Sequence, residues 1–452
     1  MSDDGSGHGR AGLEPGTPTA GIARPCVTHP TEAERDGRPV YRDANVLRWL
    51  GAYTASVTGD VAYYFVLTWA ASRVAGAAQV GLVLAVGAAP RAVLMLGGGV
   101  LADRFGPRRV LIASDAVRSA MVAAVALVTW IAGPGLWSLC LLALAFGIVD
   151  AVFMPAVGAL PPRIAPVAQL ARVQALRGLA VRLGNAVGPL IAAAVVAVGG
   201  AAAGFAVAGV LFVVSLVLIV LVRIAPLAPS PAGGPSGRDR PATTFRDDLR
   251  EGWQLLRGDR RLARLVTVLA LGEMCFSGPL AAGLVLFTQD RGWGPAELGG
   301  LLAAFSIGGA ATGLVLATVS RVPRAPAVMA TALLLCGLAV AALGRTQTTS
   351  TALLCCGLVG AASGTAGTLA HTLVQRATEP RYLGRITSVT TLCTLGLAPA
   401  LYPLAGVVTA RWGTGAFFLG CGAVCIAAVA LSLTAPGGGA ARFPGAYTHL
   451  SG

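Results

Sequence analysis

Polar and apolar positions along this chain fall in long blocks, not in the short periods of a soluble fold. From residue 46 onward, apolar runs of about 18–26 residues are separated by short loops of Arg, Gly and Pro, and each run has the length a helix needs to cross a ~30 Å hydrocarbon core. Six runs, Val46–Ala71, Val80–Leu101, Val110–Ile131, Leu136–Ala156, Ala175–Val198 and Ala202–Ile224, form a first set. Six more, Leu265–Phe287, Leu298–Val319, Pro326–Leu343, Thr351–Leu373, Ile386–Ala410 and Gly415–Leu433, form a second. A helix satisfies its own backbone donors and acceptors, so this pattern predicts an all-α membrane protein with twelve transmembrane helices.

The intervening segments set the organisation. Residues 1–41 and 435–452 are expected to be cytoplasmic tails, the first of them polar, disordered and without the charged-then-apolar pattern of a signal peptide. Residues 42–225 make one six-helix half and residues 265–434 the other, joined by a cytoplasmic linker over 226–264. Within that linker Phe245, Leu249, Trp253 and Leu256 recur at helical spacing, flanked by Arg246, Arg250 and Arg257. This predicts an amphipathic helix on the membrane surface. A shift of 213 residues lays Gly59-Asp60 on Gly272-Glu273, Arg163 on Arg376, Leu170 on Leu383 and Arg172 on Arg385. Parallel repeats of this kind typify transporters with a site between pseudo-symmetric halves near the midplane.

Charge orients the chain. The loops after runs two, four, eight and ten carry Arg104/Arg108/Arg109, Arg163/Arg172, Arg321/Arg324 and Arg376/Arg381/Arg385, whereas each alternate loop holds at most one arginine. The positive-inside rule then puts both termini in the cytoplasm of a multi-pass cell-membrane protein. Only 12% of residues are charged, 55% are hydrophobic and the mean hydropathy is +0.73, far from a soluble domain. The net charge of +14 does not signal nucleic-acid binding, because the arginines lie in loops and not on one soluble face. All 34 basic residues are Arg. With no Lys there is no phosphate-loop Gly-Lys pair, which argues against ATP-driven export. Eight of nine Cys lie in apolar runs and act as small hydrophobes; with no HExxH, paired CxxC or Gly-x-Ser-x-Gly, no enzyme, metal or cofactor is expected.

One loop is especially informative. Gly99-Val-Leu-Ala-Asp103-Arg104-Phe-Gly106-Pro-Arg108-Arg109 joins the second and third runs, with Gly106 and Pro107 reversing the chain. It resembles the Gly-x-x-x-Asp-Arg-x-Gly signature of the major facilitator superfamily, with Pro107 where a basic residue is usual and Arg108 one place later. Gly184-Asn-Ala-Val-Gly188-Pro189 likewise resembles the Gly-x-x-x-Gly-Pro motif of that family's antiporters, with Ala192-Ala193 replacing the trailing glycine pair. Gly184 and Gly188 also suit close helix packing, and Pro189 a bend. Over about residues 46–434 the chain is most similar in look to twelve-helix bacterial exporters of macrolides and siderophores, through Gly59-Asp60, the signature loop and Leu383-Gly384-Arg385. The resemblance implies a monomer and a gating role for Gly99, Asp103, Arg104, Gly106, Arg108, Arg109 and Arg385. It also implies a pair between Asp150 and Arg108.

Asp60 and Glu273 lie deep in the first and seventh runs. An ionisable group there costs about 2.5–3.5 kcal/mol to insert, so both are expected to face a cavity and to load a coupling proton or contact substrate. The plainer alternative is that each pairs with a neighbour to fix packing. Arg91 and Arg182 read as the intramembrane cations, each needing a carboxylate or carbonyl partner, with Asp60, Glu273 and Asp150 as the available acids. The expected function is proton-coupled antiport, exporting a small amphipathic molecule by alternating access. The rivals are a nutrient importer of the same fold, which needs a more polar cavity, and a non-transporting ligand sensor, which needs a signalling domain.

Overall fold

The computed structural model describes residues 43–165, 169–223, 245–278, 282–319, 322–379 and 382–433. Both tails, and 226–244 of the linker, lie outside them. The described residues form helices α1 (Ala44–Val74), α2 (Ala77–Phe105), α3 (Pro107–Ala132), α4 (Leu136–Ala159), α5 (Pro161–Ile164), α6 (Leu170–Val220), α7 (Phe245–Gly258), α8 (Arg260–Gly278), α9 (Leu284–Asp290), α10 (Pro295–Thr318), α11 (Ala325–Leu343), α12 (Thr349–Ala377), α13 (Leu383–Leu395) and α14 (Ala398–Leu433). Eight of them, α2, α3, α4, α6, α10, α11, α12 and α14, are long and apolar enough to span a bilayer. The seventh apolar run is divided between α8 and α9, and the eleventh between α13 and the start of α14.

Two helices are too long for one crossing. The 51 residues of α6 would extend about 76 Å at 1.5 Å per residue. The chain instead reverses at Gly200, where φ is +69° and ψ −168°, a conformation open essentially to glycine. Packing against α1 proves the reversal. Gly184 and Gly188 meet Val57 and Val61 in ascending order, whereas Gly204, Phe212 and Leu218 meet Val66, Gly59 and Gly51 in descending order. α14 breaks in the same way at Gly413, φ +80°. Its first arm presses Gly406 and Tyr402 onto Ala77 and Gly81 of α2, and its second arm lays Phe418 and Cys425 on Gly344 and Gly337 of α11. The twelve apolar runs are thus accounted for, in the fold the pattern predicts.

The first half is organised by α1, buried along most of its length between the two arms of α6. The halves meet through α2 with α14 and through α6 with α10. These contacts run along α10 as far as Gly313 and include the end away from the Gly106 turn. There Gln289 donates to Ser72 across 2.5 Å, and a Cβ on Gly299 would stand 2.9 Å from the Pro189 carbonyl. Helix α7 forms where the amphipathic spacing places it. Its Leu256 is buried with Leu262, Val266, Val374 and Ile386, while Trp253 is half exposed.

Candidate functional site

Five charged side chains from four helices converge in the interior of the first half. Arg118 of α3 is fully buried and touches three carboxylates. Its Nη2 donates to Asp150 Oδ1 of α4 at 2.5 Å. Its Nη1 lies 3.4 Å from Asp60 Oδ1 of α1 and 3.8 Å from Asp115 Oδ1, one turn back on α3. Arg91 of α2 closes the cluster, with Nε 3.0 Å from Asp150 Oδ2 and a hydrogen bond to Tyr64. Asp115 accepts from the Ser215 hydroxyl at 2.6 Å, and Ser56 accepts from Arg118 at 3.4 Å.

Local sequence explains why these groups meet. Gly147 has no side chain, so α4 runs directly against the Gly87 carbonyl and the Pro90 ring of α2. Arg91 and Asp150, each about one turn further along its helix, then come within ion-pair distance. Gly59 does the same for α1: a Cβ there would stand 3.1 Å from Phe212, so Asp60 sits close to the arm of α6 that carries Ser215. Asp115 and Arg118 share a face of α3 by their i,i+3 spacing. An aromatic cage encloses the guanidinium, with Phe153, Phe146 and Phe212 centroids at 3.8, 5.1 and 5.7 Å. Tyr63 stacks on Phe146 at 3.8 Å. Cation–π contact and charge pairing therefore act on the same buried group.

The acids are not equivalent. Asp150 and Asp115 are 2% exposed and each accepts a hydrogen bond at 2.6 Å or less, whereas Asp60 is 15% exposed and its Oδ1 has no hydrogen-bond partner. Asp60 is held by charge alone and is the most exposed of the three acids. Three carboxylates face two guanidinium groups, so the fully ionised cluster carries one surplus negative charge. Such a cluster can exchange a proton or accept a cationic group without dismantling its other pairs.

Several expectations require correction. Asp150 does not pair with Arg108; it binds Arg118 and Arg91. Arg108 lies ten residues before Arg118 on α3, about 15 Å along the axis, and donates to the Val220 carbonyl at 2.6 Å instead. The intramembrane cations are not limited to Arg91 and Arg182, since Arg118 is the most buried of the three. Arg182 meets a carbonyl and, among the described residues, no acid: its Nη1 donates to Gly309 O of α10 at 3.0 Å, bridging the halves. Glu273 lies outside the cluster that holds Asp60. Glu273 is half-buried on α8, and its electrostatic neighbour is His371 of α12. Gly184 and Gly188 are buried, and a Cβ on them would stand 2.8 and 3.0 Å from Val57 and Val61; Pro189 is buried beside them. At the signature loop Gly106 has φ +82°, Pro107 opens α3, and Arg104 stands over the exposed Phe105 ring at 5.7 Å. Arg109 is exposed. Gly99 and Asp103 lie in α2 and Arg385 in α13, with side chains outside the described set. Arg118 and Asp115 escaped the sequence reading, although an acid and an arginine three apart inside an apolar run were the available signal.

A family model described as Major Facilitator Superfamily matches residues 49–403. Among curated proteins none is similar to this chain in sequence. Solved structures share its fold at low identity. The POT family transporter PepTSo is 12% identical with a TM-score of 0.65, covering 86% of this chain and 97% of its own. A bacterial homolog of the human lysosomal transporter Spinster, in an inward-facing and occupied conformation, is 15% identical with a TM-score of 0.65, covering 88% and 97%. The nucleoside transporter NupG, solved as a point mutant, is 11% identical with a TM-score of 0.66, covering 86% and 99%.

Proposed function

The chain belongs to the major facilitator superfamily, a membrane transporter and not an enzyme, and from that premise we propose that it is a proton-coupled antiporter. In this reading it exports a small amphipathic molecule across the cell membrane as a monomer. The observation that carries the reading is the buried cluster around Arg118, with its surplus negative charge and with Asp60 as its least buried, most loosely held acid. A proton on Asp60 balances the cluster. Its departure leaves a carboxylate that holds a cationic group or draws Arg118 away from Asp150. Either exchange couples charge to the packing of α1, α3 and α4.

The arginine-rich loops support cytoplasmic termini, so the end joined by Gln289 and Ser72 is the outer one. Alternating access then requires the contacts of α2 with α14 and of α6 with α10 to part. The predominance of Ala, Leu and Val along the helices supports an amphipathic cargo over a sugar-like nutrient. The test uses inside-acid proteoliposomes and a fluorescent pH probe, with a lipophilic dye cation, a macrolide and a siderophore added in turn. Saturable dissipation of the gradient by one of them supports the reading. Transport of a probe without any proton movement overturns the coupling.

A further inference from the structure

A second charged site lies at the Gly106 end of the first half, away from the Arg118 cluster. A cleft of about 670 Å³ is lined by Arg48 of α1, Arg108 and Arg109 of α3, Arg163 of α5 and Arg223 just past α6. Its remaining lining residues, Phe105, Gly106, Pro107, Val220, Leu221 and Val222, are uncharged. Five guanidinium groups therefore share one cavity, and among the described residues no carboxylate lines it.

Two of the five are fixed by the carbonyl end of α6. Arg108 Nη2 donates to Val220 O at 2.6 Å and Arg48 Nη1 to Leu221 O at 3.3 Å. A helix carboxyl terminus attracts cations, which explains why they gather there. It does not discharge them. Arg108 Nε is buried with no hydrogen-bond partner, and the side chains of Arg109, Arg163 and Arg223 make no hydrogen bond or ion pair among the described residues. Positive-inside charge alone would leave arginines spread over solvated loops. Here four elements converge on one concavity, with a buried donor lacking an acceptor.

We propose that this cleft binds a phosphate-bearing anion, either a phospholipid headgroup or a free phosphate. A guanidinium fork matches two phosphate oxygens, and several forks from different helices make a cradle that a single surface arginine does not. Phe105, 54% exposed at the rim, offers an apolar surface beside the cradle for the first carbons of an acyl chain. An anion seated here ties the start of α3 to α5 and to the end of α6, and so steadies the loop end of the half. The site is independent of transport direction and of proton coupling.

The test is binding to full-length purified protein, so its failure is distinct from failure of the transport reading. Native mass spectrometry from neutral detergent compares dioleoylphosphatidylglycerol with dioleoylphosphatidylcholine, and thermal melting follows titration with each lipid and with inorganic phosphate. The expected result is saturable retention and stabilisation by phosphatidylglycerol or by phosphate, weakened at least tenfold in Arg109→Gln/Arg163→Gln. Those two side chains make no hydrogen bond among the described residues, so the variant should fold. Arg73→Gln/Arg345→Gln, at two exposed positions outside the cleft, removes the same two charges and controls for net charge. A response to phosphatidylglycerol alone identifies the lipid source, and one to phosphate as well identifies the free anion. No response to either, or equal binding by the double variant, overturns the proposal.

Discussion

Replacing Arg118 with Met leaves an unbranched apolar side chain two atoms shorter and removes the guanidinium with its charge and its hydrogen bonds to Asp150 and Ser56. Asp150 retains Arg91 at 3.0 Å, but Asp60 and Asp115 lose their nearest cation, at 3.4 and 3.8 Å. At an effective dielectric near 20, the 3.4 Å contact alone is a gross attraction of about 5 kcal/mol, and breaking a buried pair from one side costs ~3–5 kcal/mol net. Loss of the cation–π contact with Phe153 at 3.8 Å adds up to ~2 kcal/mol. Arg118→Met should therefore unfold at distinctly lower denaturant, measured by fluorescence in dodecylmaltoside with an SDS titration. Arg118→Met/Asp60→Asn/Asp115→Asn removes the stranded charges and should recover at least half of the loss. A single variant within ~0.5 kcal/mol of the wild type, or a triple variant no better than the single, would refute the reasoning.

Gly147→Val should push α4 off the Gly87 carbonyl, part Arg91 from Asp150, and cost ~1–3 kcal/mol with loss of transport; normal transport with normal stability would count against the glycine contact. Gly200→Val places a β-branched residue at φ +69°, so stability should fall by ~1–3 kcal/mol in the same SDS titration, with no fall if the reversal lies elsewhere. Single cysteines in a Cys-free background should label from outside intact cells at positions 291 and 345 but not at 104 and 324; equal labelling of both sets contradicts the orientation.

The spans and the repeat are one-dimensional properties, so composition and charge spacing were enough to expose them. Asp60, Arg91 and Asp150 were visible because each interrupts an apolar run. Their partnership was not visible, since it depends on helices crossing at Gly147 and Gly59, and rotation about a helix axis leaves little trace in an apolar run without periodicity. Asp115 and Arg118 offset each other in charge within one run, so they did not stand out as isolated ions do. The Asp150 and Arg108 pair was an implication of the family resemblance, and the ~15 Å that α3 runs from Arg108 to Arg118, the partner of Asp150, separates them. For Arg182 either a carboxylate or a carbonyl partner was open, and a glycine-lined helix surface supplies the bare carbonyl of Gly309.

The central claim, that Asp60 exchanges the coupling proton, is tested most directly by separating driven transport from exchange. Wild type, Asp60→Asn and Glu273→Gln are reconstituted in proteoliposomes and given whichever probe dissipates the pH gradient. Uphill transport driven by the gradient and downhill equilibration of the labelled probe are then measured on the same vesicles. The account predicts that Asp60→Asn abolishes uphill transport and keeps equilibration, while Glu273→Gln, outside the Arg118 cluster, keeps both. Uphill transport by Asp60→Asn at the wild-type rate would contradict it.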